Sequence, residues 1–244
     1  MKLDCILTAV NDNPLYLEFL PLFIETWKKL YPDVDVKVVL IAEAIPDEYL
    51  AYKENIILFE PLDGVPTAFT SQFIRLLYPG LLDYENGVMI TDMDMLPMNR
   101  TYYTEHIKAY GREKFIYLRE NVCADENQIA MCYNVAVPEV WREVFGVQSL
   151  EDVRDALRNA DTSWSSDQCA LHDKVTTWHE KTNNFVRLKE RDTRFMRLDR
   201  NTFDLNNHFI QWNIRQGLYS DYHCYRPMST YGQINYGIYT LLDM

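Results

Sequence analysis

Asp92-Met93-Asp94 closes an apolar run, Gly87-Val88-Met89-Ile90-Thr91. If the triplet continues that extended backbone, residues two apart point to the same side, and both carboxylates can converge on one cation or its water shell. Two hard oxygen ligands suit Mg²⁺ or Mn²⁺. A cation held this way can grip a diphosphate and stabilise the charge that develops as the diphosphate leaves. Two-carboxylate triplets also arise by chance in acidic chains or cap a turn, so the position at the end of a buried strand matters: in α/β sheets ligands collect at the carboxyl ends of strands.

The elements around the triplet supply that setting. Lys2 to Val10 reads as a strand running into the turn-rich Asn11-Asp12-Asn13-Pro14. From Leu15 to Leu30 apolar residues recur at spacings of three and four, which predicts a helix, with Pro21 expected to kink or divide it. Val34 to Ile41 and Asn55 to Phe59 read as buried strands. Ala68 to Leu82 carries a helical stripe, Phe69, Phe73, Leu76 and Leu77, ending near Pro79-Gly80. Strands and helices alternating up to residue 95 predict an α/β layer architecture with a largely parallel sheet. Beyond residue 112 the rhythm is mixed. Phe115 to Leu118 and Ile129 to Val137 are strand-like, whereas Pro138 to Phe145, Leu150 to Leu157 and Ser166 to His172 are helix-like; the elements of residues 185–244 are not assigned in detail. Without internal repeats or a low-complexity linker, the simplest partition is one domain, 1–244, with halves 1–97 and 98–244.

Composition narrows the function. The 24 Lys and Arg against 36 Asp and Glu leave a net charge of −12, which disfavours a nucleic-acid partner, because such affinity comes mainly from cationic side chains displacing counterions. Hydrophobic residues make up 48% and charged residues 25% of the chain, a composition that packs rather than remaining disordered. No stretch approaches the roughly 18 apolar residues of a membrane span, and Asp4 stands where a secretory leader is apolar, so a soluble, cytoplasmic protein is expected. Cys5, Cys123, Cys132, Cys169 and Cys224 form no Cys-x-x-Cys pair, which predicts free, mostly buried thiols rather than a zinc site or disulfide framework. Six bases, Arg187, Lys189, Arg191, Arg194, Arg197 and Arg200, make a local cationic stretch that could face an anionic ligand or form a solvated strand face. Tyr219, Tyr222, Tyr225, Tyr231, Tyr236 and Tyr239 crowd the carboxyl end, as a core-packing set or as faces for sugar rings.

The block from Ser71-Gln72-Phe73-Ile74-Arg75-Leu76-Leu77-Tyr78-Pro79-Gly80 through Val88-Met89-Ile90-Thr91-Asp92-Met93-Asp94 resembles the helix, strand and DxD segment of GT-A glycosyltransferases, especially glycosyltransferase family 8 and related bacterial and viral enzymes. The resemblance implies a GT-A fold: a Rossmann-like nucleotide-binding half, a mixed central sheet with helices on both faces, and an acceptor-side half. It implies that Asp92 and Asp94 bind Mn²⁺ (or Mg²⁺), that Asp92 and Met93 reach the donor, and that Arg75 approaches it. Thr8-Ala9-Val10-Asn11-Asp12-Asn13 with Tyr16 is similar to the family's base- and ribose-binding strand-loop, with an amide, Asn11, near the family's usual acid. Cys132-Tyr133-Asn134-Val135-Ala136 is similar to the strand that faces the donor sugar, Ala136 replacing the family's glycine, and carries over Asn134. Ser166-Asp167-Gln168 is similar to the Asp-Gln helix start beneath the transferred sugar. Asp221-Tyr222-His223-Cys224-Tyr225-Arg226-Pro227 is similar to the late segment in which His completes the metal sphere, implying His223 as third ligand and Arg226 on the diphosphate. A mixed oxygen and imidazole set favours Mn²⁺. His208 is the competing ligand; His106, His172 and His179 are read as structural.

These implications make the chain a metal-dependent transferase that moves a hexose or deoxyhexose from a nucleoside diphosphate sugar, UDP- ahead of GDP-, to a hydroxyl of a glycan, glycoprotein or small molecule. Family resemblance implies retention of anomeric configuration, with Asp167, Gln168 and Asn134 around the reacting sugar; in an inverting enzyme Asp167 would instead be the general base. Two rivals stand beside it: a DxD phosphatase using the first carboxylate as nucleophile, and a carbohydrate- or nucleotide-sugar-binding protein without turnover. Oligomeric state is not legible.

Overall fold

β-branched and apolar runs in the first half become parallel strands, buried on both faces except at the sheet edge, where Ile57 is half-buried and Leu58 exposed rather than buried as expected. The computed structural model describes every residue except Asn121, Ala124, Thr202, Asp243 and Met244. In chain order the strands are β1 (Leu3–Asn11), β2 (Asp35–Ile41), β3 (Ile56–Phe59), β4 (Gly87–Ile90), β5 (Met95–Pro97), β6 (Phe115–Tyr117), β7 (Asn134–Ala136), β8 (Phe185–Arg187), β9 (Met196–Asp199) and β10 (Tyr219–His223). Seven of them form one sheet in the order β3-β2-β1-β4-β7-β6-β8, and β5-β10-β9 form a second. β1 pairs in parallel with β2 on one side and β4 on the other, so Ile6 lies beside both Val36 and Met89. β7 turns the direction: it runs antiparallel to β4 and β6, and β8 returns parallel to β6. The chain thus leaves β1 toward β2 on one side and reaches β4 on the other. That reversal opens a crevice at the carboxyl ends of β1 and β4.

The helices cover this sheet through their apolar stripes. The Leu20–Leu30 helix buries Phe23, Trp27 and Leu30 and packs on β2 and β5. Trp27 meets Tyr103 and Tyr31 at ring-centroid distances of 5.0 and 5.3 Å, an aromatic seam that ties this helix to the connection after β5. The Thr67–Leu77 helix lies on β1 and β2 and gathers the Pro138–Phe145, Leu150–Asn159 and Ser166–Thr182 helices.

Several boundaries differ from expectation for identifiable reasons. The helix expected from Leu15 is two, Pro14–Leu17 and Leu20–Leu30, because Pro21 sits in the first turn of the second and has no N–H to continue the first. The strand expected over Ile129 to Val137 shrinks to Asn134–Ala136, because Tyr133 takes a left-handed φ of 75° and Asn134 bonds back onto the preceding loop. The helix expected to stop at His172 continues to Thr182, where Asn183 caps it at a φ of 56°. In the carboxyl-terminal part, β9 and β10 carry side chains into the cleft, which residue patterning did not show.

Candidate active site

β4 ends at Ile90, and the Thr91 N–H still bonds to the Leu7 carbonyl at 3.0 Å, so the chain leaves the sheet at residue 92. Asp92 and Asp94 then lie in a turn, not in extended backbone: the Met95 N–H donates to the Asp92 carbonyl at 3.1 Å as the chain enters β5. Both residues line one cleft, but the two carboxylates hold different partners. Asp92 is ion-paired with Arg75. Asp94 is buried, and its Oδ2 faces Arg200 Nη1 and Arg226 Nε, each at 3.2 Å, and His223 Nε2 at 3.3 Å. Burial pushes the Asp94 carboxyl up, but hydrogen bonding and charge from His223, with Arg226 and Arg200, outweigh it and hold the group below its ordinary range.

Pairing between distant strands builds this cluster. β5 runs antiparallel to β10, setting Met95 opposite His223, and the Cys224 N–H donates to the Asp94 carbonyl at 2.9 Å. β9 lies parallel on the other side of β10, setting Asp199 opposite His223. Arg197 and Asp199 are two residues apart on β9, and both reach His223: Arg197 Nη2 is 3.1 Å and Asp199 Oδ2 3.3 Å from its Nδ1. Only the tertiary fold singles out Arg197 and Arg200 from the cationic stretch as cleft residues; Arg187, Lys189, Arg191 and Arg194 do not line it.

Arg75 joins this cluster to the next. It projects from the last turn of the Thr67–Leu77 helix, is buried, and pairs with Asp92 while its Nη2 lies 3.4 Å from Asp167 Oδ2. Its Nη1 also donates to the Thr91 carbonyl at 3.2 Å. Asp167 stands in the first turn of the Ser166–Thr182 helix and accepts the Gln168 N–H at 2.8 Å. Burial raises the Asp167 carboxyl above its ordinary value; Arg75 and the Gln168 N–H lower it and Asp92 raises it, with a net rise. Gln168 Oε1 accepts the Cys123 thiol at 3.0 Å.

A cleft of about 780 Å³ collects these residues. At the end of β1 it is lined by Ala9, Val10, Asn11, Asn13 and Tyr16; along its floor by Arg75, Asp92, Met93 and Asp94; on the far wall by Asp167 and Gln168; and at the β9–β10 edge by Arg197, Arg200, His223 and Arg226. Asn11 Nδ2 donates to Thr67 Oγ1 at 3.1 Å, and Asn13 caps the Pro14–Leu17 helix. The Arg226 guanidinium donates to the Tyr16 hydroxyl and lies 4.8 Å from its ring centroid, tying the segment after β10 to the Pro14–Leu17 helix.

Two expected donor contacts fall outside the cleft. Thr8 is fully buried within β1, one residue short of the strand end, Ala9 to Asn11, that lines the cleft. Asn134 is fully buried as well; its Nδ2 donates to the carbonyls of Ala130, Met131 and Cys132, so it shapes the loop before β7. His208 begins an exposed helix and does not line the cleft, which leaves His223 as the cleft imidazole. His106 bonds to the Tyr102 carbonyl, His172 to Asp173, and His179 accepts the Phe185 N–H, as structural histidines do. All five cysteines are free.

In sequence, no protein-family model and no curated protein matches the chain. In structure, it is similar to a galactosyltransferase, LgtC, solved in complex with donor and acceptor sugar analogues, with 12% identity, a TM-score of 0.51, and coverage of 98% of this chain and 95% of that one. It is also similar to the apo form of the glycosyltransferase GlyE of Streptococcus pneumoniae TIGR4, with 8% identity and a TM-score of 0.53. That alignment takes in 100% of this chain but 63% of GlyE. The fold is that of the GT-A glycosyltransferases. Within the GT-A frame, the cleft occupies the crevice at the carboxyl ends of β1 and β4, and no helix among the described residues is long and apolar enough to cross a membrane.

Proposed function

We propose that the chain is a metal-dependent glycosyltransferase that moves a hexose or deoxyhexose from a nucleoside diphosphate sugar, UDP- ahead of GDP-, to an acceptor hydroxyl of a glycan, glycoprotein or small molecule. The observation that carries this reading is the cluster at Asp94: one buried carboxylate, an imidazole and two guanidiniums opening on a cleft beside Arg75 and Asp92. Such a cluster offers a doubly charged diphosphate several cationic partners in a low-dielectric setting.

The donor set suits a divalent cation shared with a ligand. Asp94 Oδ2 and His223 Nε2 are 3.3 Å apart, close to the roughly 3 Å between neighbouring ligands on an ion with bonds of about 2.1 Å, and the Arg200 and Arg226 guanidiniums that contact these atoms would have to turn to the phosphates for a cation to enter. Among the described residues no three His, Cys, Asp or Glu groups form a ready-made cage, so Asp94 and His223 would hold Mn²⁺ or Mg²⁺ together with phosphate oxygens, as nucleotide-bound cations often are. Bound there, the cation would supply Lewis-acid stabilisation of the leaving diphosphate. Asp92, expected from the sequence as a ligand beside Asp94 and His223, is ion-paired with Arg75 and orients that guanidinium toward the donor. Arg226 and Arg200 neutralise the departing phosphates, Asn11, Asn13 and Tyr16 hold the nucleoside, and Gln168 lies beside the transferred sugar. The Asp167 carboxyl is tied to Arg75 and the Gln168 N–H, and retention is proposed on the resemblance of the Asp92-to-Asp94 and Asp167-Gln168 segments to glycosyltransferase family 8.

The test is a thermal-shift and turnover panel of UDP- and GDP-sugars with and without Mn²⁺. A higher Tm with UDP and Mn²⁺ together, and slow metal-dependent donor hydrolysis, are expected. No shift with any nucleoside diphosphate would refute the donor site, release of phosphate from simple phosphomonoesters would point to a phosphatase, and binding without hydrolysis would point to a binding protein.

A further inference from the structure

Trp164 is 76% exposed, the most exposed large apolar side chain among the described residues, and it lines the cleft. The other tryptophans do not share this position: Trp27, Trp141 and Trp178 are buried, and Trp212 lies outside the cleft. The carboxyl-terminal tyrosines, candidates for sugar contacts by composition, do not line the cleft: Tyr222 is buried, Tyr225 stacks on Tyr231 at 5.1 Å, and the exposed Tyr236 lies elsewhere.

Leaving an indole in water forgoes favourable apolar burial unless a ligand covers it. The backbone around Trp164 is held in place. Asp161 accepts both the N–H and the hydroxyl of Ser163, at 3.2 and 2.7 Å, and the Ser166 N–H donates to the Ser163 carbonyl at 3.1 Å. Three residues after the indole, Asp167 is locked to Arg75. The platform is thus pinned to the wall that carries Asp167 and Gln168. That wall belongs to the β7 side: the Ile129 N–H donates to the Gln168 carbonyl at 3.3 Å, in the loop leading to β7. The nucleoside residues Asn11, Asn13 and Tyr16 stand at the end of β1, on the other side of β4. A ligand on Trp164 therefore approaches from the side of the transferred sugar, not from the nucleoside.

We propose that Trp164 is the stacking platform for a sugar ring of the acceptor, which makes the acceptor a saccharide or glycoside rather than a simple alcohol or an amino-acid hydroxyl. This rests on the glycosyl-transfer reading above. An indole face accepts the C–H face of a pyranose while the ring hydroxyls stay free to bond and react, so Trp164 orients one hydroxyl toward the anomeric carbon without touching the reacting bond.

The experiment uses the full chain with Mn²⁺ and saturating UDP, titrated with methyl β-galactoside, β-glucoside and α-mannoside, with glycerol and N-acetylserine amide as non-saccharide probes. Tryptophan fluorescence of the wild type minus Trp164→Ala reports the indole directly. At least one glycoside should perturb that difference signal, and neither non-saccharide should. In turnover assays with the responding glycoside, Trp164→Ala should raise its KM about tenfold or more with little change in UDP affinity or in donor hydrolysis by water, and Trp164→Tyr should recover most of the loss. A fall in UDP affinity in Trp164→Ala would place the nucleobase on the indole and overturn the proposal, as would a signal from none of the glycosides. If no nucleotide sugar is turned over but a glycoside still perturbs Trp164, the platform stands and the transferase reading falls.

Discussion

A guanidinium as enclosed as that of Arg75 persists in a folded chain only with counter-charges beside it, and Asp92 and Asp167 provide them. Arg75→Met leaves two carboxylates without their cation. It should cost about 3–5 kcal/mol of stability, read as a lower urea midpoint, and an unchanged midpoint would mean the two acids find solvent instead. Asp94→Asn tests the neighbouring cluster: the rise in Tm with UDP and Mn²⁺ should vanish and turnover should fall at least about a hundredfold, whereas retained metal-dependent turnover would remove Asp94 from the site. The raised Asp167 carboxyl makes a pH prediction. The native state keeps this proton to higher pH than the unfolded chain, so its contribution to stability declines as pH rises from the ordinary value near 3.8 through the raised native value. Asp167→Asn should flatten the stability curve over that window, and an unaltered slope would show that the carboxyl titrates normally.

At the scale of elements, the helices carry local signals that hold without the cleft. Ser149 caps the Leu150–Asn159 helix in a reciprocal capping box with Asp152, and Gly146 ends the preceding helix at a left-handed φ of 70°. Ser149→Ala should lower stability by about 1 kcal/mol, a Tm drop of roughly 2–4 °C for a chain of this size, with donor binding untouched. A coupled loss of UDP binding would show that this helix supports the cleft through the Thr67–Leu77 helix on which it packs. The strands behave differently. β5, β9 and β10 are short, and their pairing matters more than their propensity, since register alone sets His223 beside Asp94 and Asp199.

For the whole molecule, the halves 1–97 and 98–244 share both sheets, because β4 from the first pairs with β7 from the second in one and β5 pairs with β10 in the other. Trp141 locks that junction. It is buried, donates from Nε1 to the Val88 carbonyl at 3.0 Å, and packs edge-on to Phe115 at 4.8 Å. Trp141→Ala should cost about 3–5 kcal/mol, because the cavity would open between strands of both halves. Unfolding followed by far-UV circular dichroism and by tryptophan fluorescence should give coincident single transitions; two separated transitions would show that the halves fold independently.

The residues themselves determined much of this. Apolar periodicity marked β1 to β4 and the helices between them, Pro21 announced the helix break, and the pattern around Arg75 and Asp92 to Asp94, with the Asp167-Gln168 and His223 segments, pointed to the cleft. These are local signals, carried by side-chain period, turn chemistry and short motifs. Tertiary structure decided what depends on non-local pairing. It paired Asp92 with Arg75 and Asp94 with Arg200, Arg226 and His223; it buried Thr8 and Asn134; it drew Arg197 and Arg200 out of a charged stretch through β9–β10 pairing; and it left Trp164 exposed in the cleft while burying Tyr219 and Tyr222. A strand's period tells which residues share a face, but only its partner strand decides what that face meets.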